Sequence, residues 1–130
     1  MKTSHKVALA VLVGVLIGAA GAEVVRAQQE KARPGYVVAE VEMIDPTALK
    51  EYGAKAPQIV ASHGGRYVVR GGDVQPLEGE APKGYVVIIG FDSMEKARAW
   101  YDSPEYKAIR GIRQNATKSR LFLVEGEPLP

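Results

Sequence analysis

The sequence predicts an α+β domain with the element order β-α-β-β-α-β. Three observations carry that prediction. Tyr36 to Met43 alternates apolar side chains with others, and RYVVR and YVVIIGF are two further apolar runs of strand length. Two other segments repeat their apolar residues at three- and four-residue steps, the stripe of an amphipathic helix. Pro, Gly, Asp and Ser punctuate the joints between these segments.

In the first strand Val37, Ala39, Val41 and Met43 share one face, and Tyr36, Val38, Glu40 and Glu42 share the other. Asp45-Pro46 then supplies an N-cap and a proline for the first helical position. Leu49, Tyr52, Ala56, Ile59, Val60 and His63 form the helix stripe that follows. Pro57 lies inside it, and its missing backbone donor predicts a kink or a break there. Gly64-Gly65 stops the helix.

Arg66 to Arg70 is the second strand, and the loop from Gly71 to Pro82 carries Pro76, Gly79 and Pro82 as breakers. Tyr85 to Phe91 is apolar on both faces, which marks a central strand. Asp92 is the expected cap of the second helix, with Glu95 at capping-box spacing. Met94, Ala97, Trp100 and Tyr101 give its buried stripe. Ser103-Pro104 interrupts and restarts the helix, and Tyr106, Ile109, Ile112 and Ala116 continue the apolar face. Arg120 to Glu125 is the last strand.

This order is the split βαβ, ferredoxin-like plan: an antiparallel four-stranded sheet with both helices on one face and the first and third strands in the middle. Val38, Val68 and half of the third strand then face away from the helices. The same face of a second subunit covers them most economically, so a homodimer is expected.

Residues 1–27 stand apart from this domain. Lys2, His5 and Lys6 precede an apolar run from Val7 to Ala22, and small residues suit signal cleavage after Ala27 or Ala22. The reading favoured is a cleaved secretory signal and a periplasmic or secreted protein. The rival is an uncleaved inner-membrane anchor, for which the run is short and holds Gly14, Gly18 and Gly21. Residues 28–34 form a polar tether, 35–126 the compact domain and 127–130 a tail. Removing residues 1–27 takes away Lys2, Lys6, Arg26 and Glu23, so 17 basic and 15 acidic residues become 14 of each. A neutral domain has no positive footprint for nucleic acid. The absence of Cys excludes a lipid-anchored lipoprotein, disulfides and thiol chemistry.

Four stretches carry a family resemblance: GYVV at 35–38, HGGRYVVRGG at 63–72, AWYDSPEY at 99–106 and LVEG at 123–126. In this order they resemble the bacterial domain-of-unknown-function 1330 family across about residues 34–126. The resemblance implies a ferredoxin-like domain of the dimeric α+β-barrel superfamily, which also holds small cofactor-free monooxygenases and muconolactone-type isomerases. It implies no particular reaction.

The chemistry has few candidates. His63, the one histidine of the compact domain, is either a helix-end residue favoured by the dipole or a general acid/base at a pocket mouth. Arg66 and Arg70, four apart on a strand, are expected on one face. There they either clamp a carboxylate or pair with Glu40 or Glu42 across the sheet, or with a partner subunit. Asp73 follows Gly71-Gly72, where backbone can approach a ligand. Trp100 and Tyr101 are either core or the wall of an apolar pocket. One His, no Cys and scattered carboxylates give no metal spacing, and no cofactor is implied. Two function classes follow. One is a dimeric binding or accessory module without turnover. The other is a cofactor-free oxygenase or isomerase acting on a small aromatic or carboxylated compound, which requires His63 and Arg70 to face one cavity.

Overall fold

The computed structural model describes residues 32–130; the expected export signal and most of the tether lie outside them. Strand β1 (Gly35–Met43) is followed by helix α1 (Pro46–Ser62), strands β2 (Arg66–Arg70) and β3 (Tyr85–Phe91), helices α2 (Met94–Asp102) and α3 (Pro104–Ala116), and strand β4 (Thr117–Glu125). The sheet order is β2-β3-β1-β4, with every neighbouring pair antiparallel. The first and third strands are central, as the ferredoxin-like plan requires.

Local chemistry explains the boundaries, with three departures from expectation. The Asp45 carboxylate accepts from the Ala48 amide at 3.1 Å, and Pro46 opens α1. That helix continues through Pro57 without a break. The carbonyl that Pro57 leaves without a donor belongs to Gly53, on an exposed turn that water reaches, so the loss is tolerated. Ser93, not Asp92, caps α2: its hydroxyl accepts from the Lys96 amide at 3.1 Å, while Asp92 meets the Lys96 ammonium at 3.4 Å. Strand β4 begins at Thr117, before the expected Arg120, because β1 offers it pairing partners as far as Met43.

Ser103 forms the joint between α2 and α3. Its buried hydroxyl donates to the Trp100 carbonyl at 2.8 Å and accepts from the Tyr106 amide at 3.2 Å. One side chain therefore closes one helix and opens the next. At the entry to β3, Gly84 has φ +73°, and a Cβ there would overlap the Val41 carbonyl. Only glycine meets both demands.

The core lies between the sheet and the helices. Val37, Ala39 and Val41 of β1 and Ile89 and Phe91 of β3 pack against Ala56 and Val60 of α1, Ala97 and Trp100 of α2, and Tyr106 and Ile109 of α3. Among the described residues, no helix covers the other face of the sheet. Val68, Phe122 and Val124 stay 52%, 45% and 44% exposed there, far above ordinary core values.

Candidate functional site

A β-bulge decides where the arginines point. Arg66 pairs with Gly90 and Tyr67 with Ile89, but Val69 then pairs with Ile88 and Arg70 with Val87. The extra residue reverses the alternation. Arg66 sits over Gly90 on the open face, beside Tyr36 and Val68. Arg70 lies on the helix side, its guanidinium 4.4 Å from the centre of the Tyr67 ring. The expected clamp of Arg66 with Arg70 is therefore dissolved. Neither arginine pairs with Glu40 or Glu42, because β3 separates β2 from β1; Glu40 pairs with Arg120 of the adjacent β4 at 2.8 Å.

The remaining predicted residues scatter. His63 ends α1, with Nδ1 3.0 Å from the Ile59 carbonyl and 3.2 Å from the Ser62 hydroxyl. Its Nε2 lies 3.9 Å from a Glu105 carboxylate oxygen. Asp73 is exposed on the β2–β3 loop, where it accepts from the Gln75 side-chain amide at 3.1 Å. Trp100 is core: its ring centre lies 4.1 Å from that of Tyr106 and 5.7 Å from that of Phe91. Its indole N–H has no acceptor among the described residues. Tyr101 borders a groove of about 450 Å³ with Met94, Arg98 and Leu121, and Arg110 lies 4.6 Å over its ring.

A more enclosed cavity of about 110 Å³ lies between α1, α3 and the sheet. Val41, Val87 and Ile89 form its floor, and Leu49, Tyr52 and Ala56 of α1 its roof. Tyr67, Tyr85, Arg70 and Arg113 complete it. Arg70 enters this cavity because of the bulge, and His63 does not line it. A broader depression of about 570 Å³ beside β4 holds charges of both signs, Glu40 and Arg120 already paired, and shares only Arg113 with the cavity. The more enclosed cavity has the lining of a ligand site, apolar walls with a few converging polar groups, at a volume that suits only a very small molecule.

Its chemistry centres on Arg113. Only 6% of this residue is exposed, and it belongs to none of the ion pairs among the described residues. Its Nε donates to the Tyr106 hydroxyl at 3.3 Å, and the Tyr106 and Tyr52 hydroxyls share a 2.8 Å hydrogen bond. Burial works against the Arg113 charge, but the neighbouring Tyr106 and Tyr52 more than offset it and raise its pKa. The Tyr52 phenol is pushed far above its ordinary value by burial, then by Tyr106 beside it. It is protonated at neutral pH, and so solvates the guanidinium as a dipole without neutralising it. Burial also raises Tyr67 and Tyr85, with Arg70 opposing in both. The cavity thus has two cations, phenolic dipoles and no carboxylate.

Sequence reasoning missed Arg113, although a signal was present. Positions 106, 109, 113 and 116 lie on one helix face, and Arg113 is the charged member of that buried set. Tyr52 and Tyr106 were legible as stripe residues, but their shared hydrogen bond joins α1 to α3 across 54 positions of sequence.

Among the described residues no three His, Cys, Asp or Glu side chains gather as a metal site. Comparison with known proteins bears on the fold. The family model "Domain of unknown function (DUF1330)" matches residues 34–127. The methylated RPA0582 protein is 22% identical with a TM-score of 0.61, covering 82% of this chain and 90% of that one. Another crystal structure of RPA0582, a protein of unknown function from Rhodopseudomonas palustris, has 22% identity and a TM-score of 0.54, covering 82% and 92%. A dimeric ferredoxin-like protein of unknown function from Thermobifida fusca has 14% identity and a TM-score of 0.52, covering 72% and 92%. No curated protein matches the chain.

Proposed function

The chain belongs to the DUF1330 family, and from that premise we propose that it is an exported, dimeric module that binds a small molecule without turning it over. The observation that carries this reading is the enclosed cavity with the buried, unpaired Arg113 on its wall. The Tyr106 and Tyr52 phenols offset the burial of that charge, so the guanidinium stays protonated at the cavity wall, where it is a preformed donor for an acceptor group of a ligand. The catalytic alternative required His63 and Arg70 in one cavity. His63 sits instead beside Glu105, and the protonated Tyr52 phenol offers no base. Binding is what the geometry supports.

Two further parts of the proposal have their own grounds. The apolar sheet face left open by the described residues, with Val68, Phe122 and Val124, favours a second copy as its cover, and a solved protein of similar fold is described as dimeric. Export to the periplasm rests on the basic start and apolar run of residues 1–27.

Native mass spectrometry of the protein purified from the cells that make it tests the reading. The expected spectrum is a dimer of chains beginning at Gln28, carrying a small-molecule adduct. Ala56→Leu, which fills the cavity from α1, is expected to lose the adduct while keeping the dimer. Wild-type protein without any adduct contradicts the binding role, and an intact N-terminus contradicts cleavage.

A further inference from the structure

Resting on the cavity reading above, we infer that the ligand is a short-chain carboxylate of about two to four carbons. Its charged end meets Arg113 and Arg70, and its tail lies against Val41, Val87 and Ile89. The sign of the charge follows from the residues. Arg113 is buried among phenols, donates to the Tyr106 hydroxyl, and borders the cavity; Arg70 reaches the same space from the β2 edge. Planar guanidinium groups present paired donors that match a carboxylate. A cationic ligand would meet two like charges with no carboxylate among the described lining residues to offset them, and a neutral one would gain less from the two guanidinium groups than an anion does.

Size sets the class. A cavity of about 150 Å³ is known to hold one benzene, and this one has about 110 Å³. A short aliphatic acid therefore fits this space better than an aromatic one, which counts against the aromatic substrates expected from the fold's relatives. Inorganic phosphate shares the charge but would place its oxygens against the aliphatic floor without donors.

Isothermal titration calorimetry of the full chain tests this, with propionate, propionamide, benzoate and inorganic phosphate as probes. Saturable propionate binding is expected, with the other three at least about tenfold weaker. Arg113→Gln is expected to abolish it. Should that variant not fold, Arg70→Gln on the exposed strand edge decides, with at least about a tenfold loss and an unchanged circular dichroism spectrum. Propionamide binding as tightly as propionate overturns the carboxylate and leaves the ligand cavity standing. Benzoate as tight as propionate overturns the size limit, and phosphate as tight overturns the tail. Binding of none of the four overturns the inference, while an adduct in the mass spectrum would still support the cavity.

Discussion

At the scale of single residues, the tyrosines around Arg113 combine opposing demands. Each has an apolar ring that suits the space between helix and sheet, and a hydroxyl that must find a partner there. Tyr52 and Tyr106 solve this by bonding each other, and Tyr106 also accepts from Arg113. The arrangement works only while the phenols keep their protons. Tyr52, Tyr67 and Tyr85 are all raised above 10.0 in the folded protein, so the unfolded chain ionises first as pH rises. Their contribution to stability is complete below about pH 10 and is lost as pH climbs through the folded values. The melting temperature is expected to fall in that alkaline range. Absorbance at 295 nm should show Tyr52 ionising only as the protein unfolds. All six tyrosines of the chain titrating together near pH 10 in the folded state would contradict this.

At the scale of elements, two short-range devices set the geometry. The bulge in β2 sends Arg66 to the open face and Arg70 to the cavity. The Ser103 hydroxyl fixes the turn from α2 to α3, and with it the position of Tyr106 and Arg113 over the sheet. Ser103→Ala removes a buried cap while leaving the Trp100 carbonyl and the Tyr106 amide without that partner. A loss of about 1–2 kcal/mol is expected by urea denaturation, and an unchanged midpoint would show that Pro104 alone sets the turn. The Ser-Pro pair was readable as a helix restart. The bulge was not, since RYVVR has no glycine or proline to mark it and only the pairing with β3 creates it.

At the scale of the whole molecule, the described residues cover one face of the sheet with helices and leave the other apolar and exposed. Burial of Phe122, Val68 and Val124 against a twin would remove their apolar surface from water without disturbing the helix-side cavity. Wild-type protein is expected to sediment as a dimer at micromolar concentration. Phe122→Glu combined with Val68→Glu should yield a folded monomer, because the new carboxylates would lose hydration at the interface and remove its apolar contacts. Wild-type chains sedimenting singly would refute the dimer, and a dimeric double variant would move the interface elsewhere.

The order of strands and helices, the Asp45 cap, the Ser103-Pro104 restart and the apolar faces of the helices were determined by the sequence alone, because periodicity, proline and glycine act over a few neighbouring residues. Whether His63 and Arg70 face one cavity, the condition of the enzyme reading, was not decided by their closeness along the chain. Tertiary structure decided that Arg70 shares a cavity with Arg113 and that His63 does not. Those outcomes depend on the register between β2 and β3 and on α1 packing against α3. Such contacts join residues far apart in the chain, and no local pattern encodes them.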